Sequence, residues 1–277
     1  MMNFQWTTAE VIIWTTRILS VYFILDVVEK LSIFKAYKKS GFFGQTVLQE
    51  SGFYLSRSGL MRRLLNVIYT FRGWLLLMVT RGICGMAIFL WPAHHLLAAS
   101  CLFLLILVSS LLNLRCRPFA AETENRFALM ILAALFFQRI LPTVAVTHVC
   151  FWFIALQSCL SYTTAGISKL FVREWRNGNG LSMMLESRQV IDSDTLVVFF
   201  STKKKFLKLM TWTVIVMDAL FPLVLVVGDP YFIVFIIWGF FFHLFIAVCL
   251  RIGKFFWVWT ATYPVIMYVA TNPGIFK

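Results

Sequence analysis

The sequence predicts an all-α fold, a polytopic membrane helical bundle of about eight transmembrane helices that forms one domain over residues 1–277. Three observations carry this: composition, the spacing of apolar runs, and the distribution of Lys and Arg between them. Of 277 residues, 60% are hydrophobic and 13% charged, with a mean hydropathy of +0.83. A soluble domain carries about 25% charged residues. So few charges cannot cover a core of this size, so lipid must be part of the solvent. The 29 Phe suit lipid-facing surface and the 10 Trp suit the headgroup zone.

A membrane-crossing helix needs about 20 mostly apolar residues. Runs of that kind fall at roughly 9–33, 72–92, 95–114, 126–142, 147–171, 206–228, 230–252 and 254–272. The fourth is short, and the last contains Pro264. Met1 to Glu10 holds no basic residue before the first run, so that run reads as an uncleaved span.

The connections alternate in charge. Lys35, Lys38, Lys39, Arg57, Arg62 and Arg63 lie between spans one and two, and Arg115 and Arg117 between three and four. Arg173, Arg176, Arg188, Lys203, Lys204 and Lys205 lie between five and six, and Arg251 and Lys254 between seven and eight. The turns near Pro92, Pro142 and Asp229 carry no Lys or Arg. Positive loops belong on the cytoplasmic side, which puts both termini outside. The net charge of +13 therefore points to a membrane face. No zinc spacing, RNP signature or Walker loop suggests nucleic acid as a partner, or a metal site. The loop at 34–71 mixes Phe42, Phe43, Phe53, Tyr54 and Leu55 with charges, the pattern of an interfacial helix or re-entrant piece. The six cysteines form no CxxC pair and sit mostly in apolar runs, where they act as small hydrophobes.

Ionisable groups within apolar spans cost a few kcal/mol each on insertion scales and need a reason. Arg17, Asp26, Glu29 and Lys30 occupy the first span, Arg81 the second, Arg139 the fourth, Lys169 the fifth, Asp218 the sixth and His243 the seventh. Lys30 follows Asp26 by four residues, so an ion-pair cluster facing the bundle is the plainer account of the first group. Asp218 and His243 lie at similar depth in a hairpin turned at Gly228–Asp229–Pro230. The carboxylate is placed either to orient the imidazole or to lock two helices by a buried hydrogen bond.

The fifth span holds the most specific pattern: Tyr162, Ala165, Gly166, Lys169 and Leu170, then Trp175 and Gly178. Ser158, Ser161 and Ala165 make a small, polar helix face that admits a close neighbour. Lys169 at the span's end reads, by itself, as a snorkelling lysine with Trp175 as its anchor. The alternative follows from the three- and four-residue spacing of Tyr162, Ala165, Gly166 and Lys169. On one helix face, Gly166 packs against another helix and Lys169 points to a polar cavity.

This motif resembles the core of the HTTM (horizontally transferred transmembrane) family. The family includes the membrane part of vitamin K-dependent gamma-carboxylase and bacterial proteins like the B component of sporulation-delaying toxin systems. Asp218-x-x-Phe221-Pro222, and Phe242-His243 with Gly253-x-Phe255, are similar in the same order, and Arg17 agrees in layout. The resemblance implies Lys169, with His243 and Asp218, as catalytic residues, and Tyr162, Gly166, Trp175 and Arg17 for substrate. In the carboxylase the lysine at this place is a base on the reduced vitamin. A lysine base must shed its proton, which desolvation and cations such as Arg173 and Arg176 promote.

Where the carboxylase has an Asn-His pair, this chain reads Glu124-Asn125-Arg126, and the length resembles the toxin-maturation branch. The implied role is a membrane factor assisting maturation or export of a secreted bacterial peptide toxin. Its partners would be a small peptide precursor and a second accessory subunit in the bacterial cytoplasmic membrane. The alternatives are a carboxylase-type membrane enzyme acting on a quinone or other lipid, and a transporter. No matching pair of broken helices favours the last.

The charge alternation makes a topology prediction. Impermeant thiol labelling from outside should reach a cysteine placed at Asp229 and miss cysteines placed at Arg62, Arg117 and Lys204. Labelling at position 204 from outside overturns the topology.

Overall fold

A computed structural model describes residues 6–117, 123–186, 204–249 and 253–272. Arg188, Lys203 and Arg251, which the charge pattern uses, lie outside the described residues. Within them the structure is all helix. In chain order the elements are α1 (Thr8–Ser32), a 3-10 turn (Phe34–Tyr37), α2 (Gln45–Gln49), α3 (Gly52–Leu55), α4 (Gly59–Tyr69), α5 (Phe71–Leu90), α6 (His95–Cys116), α7 (Thr123–Ile140), α8 (Val144–Phe171), α9 (Arg173–Arg176) and α10 (Asn179–Glu186). After the next connection come α11 (Lys204–Leu220), running into a 3-10 turn (Phe221–Leu225), then α12 (Phe232–Cys249), α13 (Gly253–Thr260) and α14 (Tyr263–Thr271).

Among the described residues six helices are long and apolar enough to cross a membrane: α1, α5, α6, α8, α11 with its 3-10 extension, and α12. The chain is a multi-pass membrane protein whose lipid contacts follow from these surfaces. The other two expected runs take different forms. Residues 126–142 lie largely within α7, which spans 18 residues and carries Glu124, Arg126 and Arg139. Residues 254–272 break into α13 and α14, with Pro264 in the first turn of α14. Proline lacks an N–H and its ring clashes with the carbonyl four residues back, so a continuous helix cannot pass through it.

Helix starts are capped where lipid would leave N–H groups unsatisfied. Thr70 Oγ1 accepts from Gly73 N at 3.0 Å ahead of α5, and His94 Nδ1 accepts from Leu97 N at 3.3 Å ahead of α6. Thr143 Oγ1 accepts from Val146 N at 3.2 Å at the start of α8. The hydroxyls of Ser158, Ser161, Thr164 and Ser168 donate to carbonyls one turn back on α8, so they can sit in an apolar solvent.

The chain packs as two compact units, Ile12–Cys150 and Phe151–Lys277 with Met1–Val11. In the first, α5 packs on α6 and α6 on α7. A charged network lies at its centre. Arg81 is fully buried and meets Asp26 at 3.1 Å, Ser109 Oγ at 2.8 Å and Asn125 Oδ1 at 2.9 Å. Lys30 meets the other Asp26 oxygen at 3.0 Å, and Asn125 donates to Asn113 Oδ1 at 2.7 Å. The expected Asp26–Lys30 pair is present, and its larger partner is Arg81 from α5. Breaking a buried pair by removing one member leaves an uncompensated charge, which costs far more than a surface pair contributes.

The 34–71 segment folds onto the same unit. Tyr37 stacks on Trp74 at 4.3 Å, and α4 buries Leu65, Ile68 and Tyr69 while Arg62 and Arg63 stay exposed. Buried Arg115 of α6 ties the segment down by donating to the carbonyls of Ile68 and Phe43.

The network makes the first unit sensitive to one carboxylate. Asp26→Ala should lower stability by about 3–5 kcal/mol. Arg62→Ala on the exposed face should change it by about 0.5 kcal/mol or less. Thermal unfolding in detergent distinguishes the two.

Candidate functional site

The second unit encloses a cavity of about 530 Å³ with mostly apolar walls. Leu209, Met210, Val214, Trp238, Phe241, Phe242, Phe245, Ile246 and Phe255 form much of the wall. Lys169, Asp218, His243, Tyr162 and Trp175 also line it and supply its charged and polar groups. An apolar chamber with a few convergent polar groups is the usual build of a small-molecule site.

Close helix approach creates it. A Cβ on Gly166 would sit 2.4 Å from Ala219 N and 2.9 Å from Ala219 Cα, so α8 and α11 touch backbone to backbone. This is why glycine stands inside a helix at a cost of about 1 kcal/mol relative to alanine. One turn further along α8, Lys169 Nζ reaches Asp218 Oδ2 at 2.8 Å. Asp218 is buried and the lysine side chain is 17% exposed, and both line the cavity. Trp175 covers the ammonium at 5.4 Å from its ring centroid. Gly178 has φ +85°, and its Cβ would lie 2.9 Å from Lys208 Cα, so the chain after α9 turns tightly against α11. Trp212 Nε1 donates to the Arg176 carbonyl at 3.1 Å and fixes α9 in place.

The second polar group is an aromatic chain. His243 and Tyr162 are buried, and His243 Nε2 lies 2.7 Å from Tyr162 Oη. Tyr162 Oη lies 3.1 Å from Tyr263 Oη. The imidazole stacks on Trp259 at 5.1 Å and 11°, and Tyr162 stacks on Phe221 at 3.8 Å and 15°. Two proline-directed breaks supply these partners. Pro222 in the first turn of the 3-10 segment tightens the end of α11 and sets Phe221 over the tyrosine. The break at Pro264 puts Trp259 and Tyr263 on separate short helices. Gly239 makes the room: its Cβ would be 2.7 Å from Tyr263 Oη and 2.8 Å from Tyr162 Oη.

Of the residues singled out in the sequence, Lys169, Asp218, His243, Tyr162 and Trp175 come together around this cavity. Gly166 acts behind it, at the α8–α11 contact. Arg17 belongs to the first unit and stacks over Trp14, its neighbour one turn back on α1, at 5.9 Å. One expectation is corrected. Asp218 does not orient His243: its carboxylate takes the Lys169 ammonium, and the imidazole takes the Tyr162 hydroxyl. Charge explains the choice, because a buried carboxylate gains more from an ammonium than from a neutral ring. Tyr263, Gly239, Trp238 and Trp259 were not legible beforehand, since apolar runs carry aromatics and glycines throughout.

The chain matches no family model, no curated protein and no solved structure.

The glycine contact is testable. Gly166→Ala should destabilise the protein despite alanine's helix propensity, by about 1–3 kcal/mol from overpacking. Gly253→Ala, whose Cβ would meet nothing within 4 Å, is the control and should be near neutral. Equal melting temperatures for the two variants would remove the close approach as the basis of the site.

Proposed function

We propose that this chain is a membrane enzyme that takes a quinone-like or other lipid into the cavity of its second unit and performs acid–base chemistry on its polar end. One observation carries the reading: a cavity of about 530 Å³, apolar over most of its wall, with an ion pair and a histidine–tyrosine pair among its lining residues. A soluble metabolite would not compensate so much apolar wall, whereas an amphiphile buries its tail there and brings its head to the polar groups. Lys169 and Asp218 supply the charges and His243 the titratable ring, the residue types needed to move a proton on a bound head.

Within the cell we propose that this chemistry serves the maturation or export of a secreted bacterial peptide toxin. A small precursor and an accessory subunit would be its partners, in the cytoplasmic membrane, with both termini outside. What supports this is the resemblance of the Tyr162–Gly178 motif and the alternation of positive loops. The cavity favours the lipid substrate over a transport role, because it lies against an ion pair and not between matching broken helices.

Mass spectrometry of lipids extracted from the purified protein provides the test. Wild type should retain an amphiphile stoichiometrically. Ala165→Phe, which adds a bulky apolar side chain to the cavity wall and leaves every charged residue in place, should release it, and Lys169→Ala should weaken retention while the fold persists. Equal retention by wild type and Ala165→Phe would remove the cavity as a lipid site.

A further inference from the structure

The hydrogens of the aromatic chain can be placed by counting donors. Tyr263 has one O–H and a single hydrogen-bond partner, Tyr162. Tyr162 has one O–H and two oxygen or nitrogen neighbours, Tyr263 Oη and His243 Nε2. The neutral imidazole has one N–H, on either nitrogen. Suppose Nε2 carried it and donated to Tyr162. Tyr162 would then donate to Tyr263, and the buried Tyr263 O–H would have no acceptor. If Tyr162 instead accepted from both sides, its own hydrogen would be stranded. Both hydroxyl hydrogens are used only when Tyr263 donates to Tyr162 and Tyr162 donates to Nε2. Every arrangement leaves one hydrogen unmatched within the described residues, but those with Nε2–H also leave the Nδ1 acceptor unmatched, and an unmatched buried group costs about 1–3 kcal/mol, so this direction wins.

The consequence falls on the other ring nitrogen. With Nε2 as acceptor, the hydrogen sits on Nδ1. That atom is fully buried, has no partner among the described residues, and belongs to a ring that lines the cavity. Stacking on Trp259 prevents the ring from turning to hide it.

We propose that His243 is a neutral hydrogen-bond donor through Nδ1, held in that tautomer by the Tyr162 hydroxyl, which donates to Nε2 and accepts from Tyr263. It binds the acceptor oxygen, carbonyl or oxyanion, on the polar head of an amphiphile. This rests on the reading of the cavity as an amphiphile site and assigns the head its chemistry. The Lys169 ammonium, on the same cavity, adds a charged donor for that oxygen. Tyr162 sets the tautomer, and Tyr263, outside the cavity wall, supplies the hydrogen that the Tyr162 oxygen accepts.

The test uses the full chain in nanodiscs with ¹⁵N-labelled histidine, the His243 signals being assigned by their loss in His243→Asn. Wild type should show a pyrrole-type Nδ1 and a pyridine-type Nε2. Tyr263→Phe should keep that pattern, because Nε2 is then the one acceptor left for the Tyr162 hydroxyl, whereas Tyr162→Phe should give a mixture of the two tautomers, because the donor to Nε2 is gone. Oleate and methyl oleate are then added separately, as carboxylate and ester-carbonyl heads on the same tail. At least one should move the Nδ1 signal, and the stronger names the head. His243→Gln, which places its amide near the Nε2 position, should bind that probe about tenfold more weakly. His243→Asn, which keeps an N–H near the Nδ1 position, should recover most of the affinity. A pyridine-type Nδ1 in wild type overturns the proposal, as does a pure Nδ1–H tautomer in Tyr162→Phe. Probes that bind without moving Nδ1 overturn this assignment and leave the amphiphile reading standing. If neither probe binds wild type, the amphiphile reading falls and this assignment with it.

Discussion

A charge inside hydrocarbon must find its counter-charge inside the protein, and the architecture of both units follows from that constraint. Water is not there to solvate an ammonium, a guanidinium or a carboxylate, so each must be matched by a side chain or a backbone carbonyl. In the first unit Asp26 meets Arg81 and Lys30, and Arg115 takes two carbonyls. In the second, Asp218 meets Lys169. The Asp26–Arg81 and Lys169–Asp218 pairs join helices far apart in the chain, so they specify which helices pack.

The two clusters differ in what surrounds them. Around Arg81 the partners close the site: Ser109, Asn125 and Tyr22 take the remaining donors, and every member is buried. A network filled in this way holds structure. Around Lys169 the walls open into a cavity, and the lysine side chain retains some exposure. Desolvated charge beside open apolar space is where a bound head would have most to gain, since interactions strengthen as the local dielectric falls.

Small residues and prolines make this geometry possible. Gly166 brings α11 within reach of Lys169, and Gly239 opens the pocket in which two tyrosine hydroxyls meet. Pro222 and Pro264 interrupt helices at the levels where Phe221 and Tyr263 are needed. Each exacts a local helix penalty, and tertiary contacts offset it.

Much of the bundle was readable because the membrane imposes a simple code. Length and apolarity mark the helices, and intramembrane charge marks Lys169, Asp218, His243, Arg81 and Asp26 as residues that need a reason. The helix spacing of Tyr162, Gly166 and Lys169 also told which face mattered, because 3.6-residue periodicity is a property of a single helix. Pairing is a property of two helices, and no local pattern holds it. Whether Asp218 would take Lys169 or His243, whether Arg17 would join the site or rest on Trp14, and that Tyr263 would stand behind Tyr162 all depended on where the backbones cross. The sequence by itself determined a multi-pass helical protein and the set of residues unable to face lipid. Only the tertiary structure decided their partners, because counter-charges and donors lie tens of residues away along the chain and a few ångströms away in space.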